Sequence, residues 1–275
     1  VTEAGSACPT WPHVRLLRAG SDGCDPALPR GVALLVIDNP PANALGPEVL
    51  ASLAQAIDAV AADGTIAALL VTGAGDGALA GPEDGPLHGG SSGGLRRWDA
   101  LDATAYALEG QETMAALAAL RIPVIAALGG SVSGAGVELA LAADIRVAAE
   151  DAEFAMPQVA GGAPPCWGGT QRLARLVGTG QAKLMILGGR SLDGREAQRI
   201  GLVEVLAGSG QHLSAAFGLA GDIARAVAAT GTAGAAGAAA AAAAKEAIDK
   251  GLDLPPSDGL RLEAALFGAR GATLL

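Results

Sequence analysis

The stretch Ile122-Pro123-Val124-Ile125-Ala126-Ala127-Leu128-Gly129-Gly130-Ser131-Val132-Ser133-Gly134-Ala135-Gly136-Val137-Glu138-Leu139-Ala140-Leu141-Ala142-Ala143-Asp144-Ile145 decides the fold. An apolar strand, Val124 to Leu128, enters a turn of Gly and Ser, and a helix from Gly134 to Ala142 follows with Glu138 in its first turn. The first amides of a helix have no intrahelical acceptor and carry the positive end of its dipole, so free N–H groups converge here. Gly134 and Gly136 put no side chain between a ligand oxygen and the backbone. Glu138 follows within about one helical turn, in reach of whatever carries that oxygen. The layout is an oxyanion site with an acid/base beside it. A Gly-rich strand-to-helix turn whose Glu only complements the dipole has the same pattern, so the rest of the chain must decide.

Upstream, residues 1–30 hold Pro, Gly and scattered charges and read as an irregular N-terminal arm. Val32 to Ile37 reads as a strand ended by Asn39-Pro40-Pro41. Pro47 starts a helix whose apolar positions Val49, Leu50, Leu53, Ile57 and Val60 recur at helical spacing. Ile66 to Val71 is a second strand, apolar throughout as a strand covered on both faces should be. A loop rich in Gly, Pro and acids runs from Gly73 to Gly94, and a loop this long in a compact domain is either functional or a mobile excursion. Ala103 to Leu120 follows as a helix with Asp102 as its N-cap.

Downstream, Ile145 to Ala148 is a short strand. Gly169 to Val177, Gln181 to Leu187 and Arg195 to Ile200 read as helices, and Leu202 to Leu206 as a brief strand. The tract Ala226 to Ala244 is Ala-rich, but Gly231, Gly234 and Gly237 weaken its start, which predicts a helix from about Gly237. Strands alternating with helices imply parallel pairing through right-handed crossovers, an α/β fold. The domain reading is an arm over 1–30, a core over 31–206 and a helical region over 207–275.

The chain has 275 residues, 51% of them hydrophobic and 17% charged, enough to bury one large core. Its net charge of −10 opposes a nucleic-acid backbone or an anionic membrane as partner, since both select basic surfaces. The N-terminal residues lack a basic segment followed by an apolar run, and no segment has the roughly 20 uninterrupted apolar residues of a membrane span. Cys8, Cys24 and Cys166 match no metal or disulfide spacing and read as reduced thiols in a cytoplasmic protein.

Several motifs, in order, resemble the crotonase (enoyl-CoA hydratase/isomerase) superfamily between Val32 and Gly271. They are Asn39-Pro40-Pro41-Ala42-Asn43-Ala44-Leu45, Val71-Thr72-Gly73-Ala74-Gly75-Asp76, the opening stretch, Phe154-Ala155-Met156-Pro157-Gln158-Val159, Gly168-Gly169-Thr170-Gln171-Arg172-Leu173-Ala174-Arg175-Leu176-Val177-Gly178, and Ala197-Gln198-Arg199-Ile200-Gly201-Leu202-Val203. The resemblance implies a spiral of ββα units with a helical C-terminal region that assembles as a homotrimer or a dimer of trimers. It implies an acyl-CoA or a carrier-protein-bound acyl thioester as substrate, with coenzyme A entering as part of the substrate and no separate cofactor or metal. It places one oxyanion-hole N–H on Ala135 and the other on or beside Glu83. Asp84, Gly134 and Trp167 fall in its substrate-binding region, with Trp167 narrowing the acyl channel.

The chain departs from the family pattern at one chemical position. Where hydratases of the family carry a second glutamate, this chain has Gln158, which cannot exchange a proton at neutral pH. Glu138 is then the single acid/base, and Gln158 orients a water or a carbonyl. Two other readings stay open. Trp98-Asp99, Glu109-Gly110-Gln111 and Ile122 to Ile125 also resemble the 6-oxocamphor hydrolase branch, a C–C bond hydrolase or lyase in which His88 would be the candidate base. A non-catalytic acyl-thioester binding protein would keep the oxyanion site without full chemistry. Tyr106 and Trp98 are candidates for the acyl pocket or for plain core packing. The sequence ends at Leu275, where the family pattern continues into a helix over the ligand; either the protein lacks that helix, which would favour a carrier-bound acyl group, or the sequence is shortened.

Overall fold

The computed structural model describes residues 8–19, 27–81, 99–228 and 235–274. Two short strands, β1 (Thr10–Trp11) and β2 (Val14–Arg18), precede β3 (Val32–Ile37), α1 (Pro47–Ala62), β4 (Ala68–Gly73) and α2 (Ala100–Ala118). β5 (Val124–Leu128), β6 (Ser131–Ser133), α3 (Ala135–Ala140), β7 (Ile145–Ala149) and β8 (Glu153–Ala155) form the middle of the chain. A 3-10 turn (Pro157–Val159), α4 (Gly169–Val177), α5 (Thr179–Gly188), β9 (Leu192–Asp193), α6 (Gly194–Arg199) and β10 (Val205–Ala207) follow. The chain closes with α7 (His212–Ala228), α8 (Ala235–Gly251) and α9 (Pro256–Leu274).

The main sheet has the order β1-β2-β3-β4-β5-β7-β10. β3, β4, β5, β7 and β10 run parallel, and β1 and β2 are added antiparallel at one edge. The α/β class and the parallel pairing match the sequence expectation. Because side chains alternate across a strand, β3 sends Ala33, Leu35 and Ile37 to one face and Val32, Leu34 and Val36 to the other. The first face packs with Val49 and Leu53 of α1, Met114 and Leu117 of α2, and Trp167. The second face is covered by Ala216, Ala220 and Ala224 of α7, whose small side chains let the helix lie close to the sheet.

A smaller sheet, β6-β8-β9, stands where the main sheet hands the chain to α3. β6 pairs parallel with β8 through Ser131–Glu153, Val132–Phe154 and Ser133–Ala155. That pairing brings the segments around Gly134 and Met156, 22 residues apart in sequence, to the same end of one ladder.

Several expectations need correction. The arm over residues 1–30 is not irregular throughout: β2 pairs with β3 along five residues, Val14–Ile37 to Arg18–Ala33. Val14 and Leu16 are its core-facing side chains, too short an alternation to stand out beside Pro12 and His13. Cys8 is disulfide-bonded, against the reading of the cysteines as reduced thiols, while Cys166 is free. The N-cap of α2 is Asp99, not Asp102: the Asp99 carboxylate accepts from the N–H groups of Leu101 and Asp102 at 2.8 and 2.9 Å. The last strand starts at Val205, later than Leu202. Among the described residues no helix is long and apolar enough to cross a membrane.

Candidate active site

The site is assembled first from two loops at the C-terminal ends of β3 and β4. Asn43, buried and with φ of 52°, donates through Nδ2 to the carbonyls of Ala74 and Ala78, both at 2.9 Å. The backbone N–H of Asn39 donates to Asn43 Oδ1 at 3.1 Å, and Leu45 N–H donates to the Ala80 carbonyl. A side-chain carbon on Gly73 would lie 1.9 Å from the Ala78 carbonyl oxygen, so only glycine allows this approach. The Asn39 to Leu45 and Val71 to Asp76 motifs therefore act together: they hold the chain from Ala78 to Gly81 in place.

That held chain reaches the turn before α3. Leu79 bridges to Val132, its N–H donating to Ser131 and its carbonyl accepting from Ser133 at 2.8 Å. Gly136 packs so close that a side-chain carbon there would come within 2.1 Å of the Leu79 carbonyl oxygen. Gly81 then lies beside Gly134 and Ala135; a carbon on it would sit 3.5 Å from the Ala135 amide nitrogen. The glycine thus keeps the approach to that amide clear. Gly134 itself has φ of 54° and ψ of −117°, a conformation essentially confined to glycine, and caps α3 so that the Ala135 N–H precedes any intrahelical acceptor. Glu83, Asp84, His88 and Trp98 lie outside the described residues.

Glu138 is 2% exposed, and its two oxygens have different surroundings. Oε1 accepts from the backbone N–H groups of Trp167 and Gly169, both at 2.8 Å. Oε2 faces the side-chain nitrogen of Gln158, at 3.4 Å. Burial pushes the carboxyl pKa up, opposed by the Gly169 and Trp167 N–H groups and by the Arg172 guanidinium. Oε1 is held by two backbone N–H groups, and Oε2 stands opposite an amide. Gln158 is carried to it by the turn after β8, and the Gln158 carboxamide oxygen is buried without a hydrogen-bond partner among the described residues.

Trp167 supplies more than an amide. Its ring is 1% exposed and lies 5.4 Å, centroid to centroid, from the ring of Tyr106 on α2 at an interplanar angle of 55°. It rests on Gly110 of the same helix, where a side-chain carbon would meet it at 2.1 Å. Tyr106 and Cys166 both feel the Glu138 charge, and burial together with that charge raises both pKa values, the thiol to about 12. They stay neutral beside the carboxylate. Among the described residues no cluster of three or more His, Cys, Asp or Glu side chains is placed to hold a metal ion.

A family model described as Enoyl-CoA hydratase/isomerase matches residues 28–273, nearly the whole length. The chain belongs to this enoyl-CoA hydratase/isomerase family. It is 31% identical to the short-chain-enoyl-CoA hydratase of Clostridium acetobutylicum over 86% of this chain and 85% of that protein. It is 38% identical to the crotonyl-CoA hydratase of Syntrophomonas wolfei over 62% of this chain and 64% of that one. Among solved structures it resembles Pseudomonas aeruginosa DspI, with a TM-score of 0.76, 36% identity and coverage of 87% and 85%.

Within this enoyl-CoA hydratase/isomerase chain, the structure brings Gly134, Ala135, Glu138, Gln158 and Trp167 to one place. Sequence reasoning missed three contributors: Gly81, which borders the Ala135 amide, Gly169, which holds Oε1, and Arg172. Gly169 and Arg172 sat inside the Gly168 to Gly178 motif, and Gly81 in the loop from Gly73 to Gly94. Gly81 and Gly169 meet residues about 30 to 50 positions away through the backbone, which no local pattern announces.

Proposed function

We propose that the chain is an acyl-thioester enzyme of the hydratase or isomerase type that works through an enolate with a single carboxylate. The Ala135 N–H and an N–H on or beside Glu83 hold the enolate oxygen, and Glu138 Oε2 moves the proton. Each oxyanion-hole donor is typically worth about 3 kcal/mol in the transition state. Gln158 orients a water or carbonyl without exchanging a proton. The substrate is an acyl-CoA, or an acyl group on a carrier protein, with coenzyme A entering as part of the substrate.

The observation that carries this reading is the unequal treatment of the Glu138 oxygens: Oε1 is held by the Trp167 and Gly169 N–H groups at 2.8 Å, whereas Oε2 lies opposite the Gln158 amide at 3.4 Å. A carboxylate with only a structural task would have both oxygens engaged in so buried a place. The family relatives support the thioester class. The C–C hydrolase reading rests on His88, which lies outside the described residues.

The proposed assembly is a homotrimer or a dimer of trimers. Leu252, Leu260 and Phe267, 83%, 66% and 79% exposed on and before α9, offer apolar surface for a second copy. Light scattering of the full chain tests this.

The enzyme assignment is tested by Glu138→Gln, with a panel of enoyl, β-hydroxy and β-keto thioesters followed by mass spectrometry. The variant should still bind an acyl-CoA while turnover falls at least a hundredfold, the lower end for losing a positioned acid or base. Unchanged turnover removes the assignment. Binding by the natural chain with no conversion of any thioester makes it a binding protein instead.

A further inference from the structure

We infer that Arg172 is the positioning residue of the Glu138 carboxylate: its guanidinium fastens the Trp167-Gly168-Gly169 turn whose two N–H groups grip Oε1, and sets a positive charge beside the pair. The inference rests on the reading of Glu138 as the acid/base.

Arg172 lies in the first turn of α4, its own N–H bonded to the Gly168 carbonyl at 2.9 Å. The side chain turns back and donates from Nη1 to the Trp167 carbonyl at 3.2 Å. It passes over Gly168, whose φ is 110° and where a side-chain carbon would lie 2.5 Å from Nη1. The carbonyl of Trp167 is thus held from one side while its N–H and that of Gly169 point to Glu138 from the other. A loosened turn would misalign both donors at once.

Packing alone does not explain an arginine here. A cation near the start of a helix opposes the dipole, and a half-buried cation loses hydration. Among the described residues Arg172 has no salt bridge, and the charge acting on it favourably is that of Glu138. Glu138 in turn is faced by Tyr106 from α2 and Cys166 from the segment before α4, both held neutral, and by the uncharged Gln158. Among the described residues Arg172 is therefore the ionised group that opposes the burial of this carboxylate.

The test is a pH titration of full-length protein carrying carbon-13 label in its glutamate carboxyl groups, with Glu138→Gln used to assign the signal. It reads Glu138 without requiring turnover. In Arg172→Gln the Glu138 midpoint should rise by about one pH unit, the lower end for losing an opposite charge nearby. In Arg172→Lys, which keeps the charge but loses the planar fork, the midpoint should stay close to that of the natural chain while kcat falls about tenfold with little change in KM. A folded Arg172→Gln with an unmoved midpoint overturns the inference. Should that variant fail to fold, an Arg172→Lys protein with unchanged kcat overturns it equally. Absence of turnover in the natural chain would count against the enzyme assignment, and leaves the Arg172→Gln titration as the deciding measurement here.

Discussion

The side-chain nitrogen of Gln158 stands 3.4 Å from Glu138 Oε2, while the Trp167 and Gly169 amides hold the other oxygen, Oε1. The two residues arrive from neighbouring strands of one ladder: Glu138 from the helix after β6, Gln158 from the turn after β8. Their pairing follows from the β6–β8 register, with Gly134 N–H donating to the Ala155 carbonyl at 2.9 Å. The site is built for two side chains facing each other, and only one of them titrates.

Gln158→Glu restores a second carboxyl at this spacing. Two carboxylates so close do not both ionise, so one proton is shared and the pair becomes acid and base together. Hydration of a short enoyl-CoA should rise about tenfold to a hundredfold, at or below the lower end of what a positioned acid or base contributes. Loss of the enoyl-thioester absorbance measures it. An unchanged rate means that the site performs a different step.

Glu138→Gln should also stabilise the fold at neutral pH. Burial raises the Glu138 carboxyl above its usual value of 4.5, so the folded chain holds this proton more tightly than the unfolded chain. The contribution of this group to stability is full below that value and is lost as pH rises through the folded pKa. The amide removes the buried charge, with a gain on the order of 1 kcal/mol, as is common when a functional site is relieved. Thermal melts at several pH values should show the difference between the variant and the natural chain growing upward from pH about 4.5. A constant difference would mean that packing, not charge, separates the two.

Much of this was legible in the sequence, and the reasons are local. The uninterrupted apolar runs of β3, β4 and β5 announce strands covered on both faces, and the Gly134 to Glu138 spacing announces a turn with a carboxylate behind it. β2 was missed because only Val14 and Leu16 mark its buried side. The clamp on Oε1 was missed because it is made by the backbone of Trp167 and Gly169, and an amide has no sequence signature. Glu83, Asp84 and His88 fall outside the described residues, so their expected roles rest on the resemblance.

Gly110 and Trp167 form a matched pair across α2. A side-chain carbon at Gly110 would meet the indole at 2.1 Å, and that ring has almost no exposed surface into which to retreat. Gly110→Ala should destabilise the chain by about 1–3 kcal/mol through overpacking. Trp167→Ala should cost about 3–5 kcal/mol through the cavity it leaves. Residues in contact do not add, so the double variant should fall short of the sum by about 0.5–3 kcal/mol. Urea denaturation of the three variants decides it, and strict additivity would mean that the ring does not rest on Gly110.

Gly134 and Gly136 are two residues apart, and alanine at each should fail differently. At Gly136 the new carbon would lie 2.1 Å from the Leu79 carbonyl oxygen, in a rigid backbone that β6 holds from the other side. Gly136→Ala should therefore lose stability by about 1–3 kcal/mol, the overpacking range, and displace the segment that ends at Gly81. At Gly134 the nearest atoms, Gln158 Nε2 and Gly81 Cα, are both 3.5 Å away, an ordinary contact, so space is not the obstacle. The obstacle is the backbone conformation, φ of 54° with ψ of −117°, which an L residue holds only under about 1–3 kcal/mol of strain. The simplest relief rotates the peptide that carries the Ala135 N–H. Gly134→Ala should thus keep a native circular dichroism spectrum and lose about a hundredfold to a thousandfold in kcat, the range for one oxyanion donor. Full activity in a folded Gly134→Ala would show that the Ala135 N–H does not hold the developing charge.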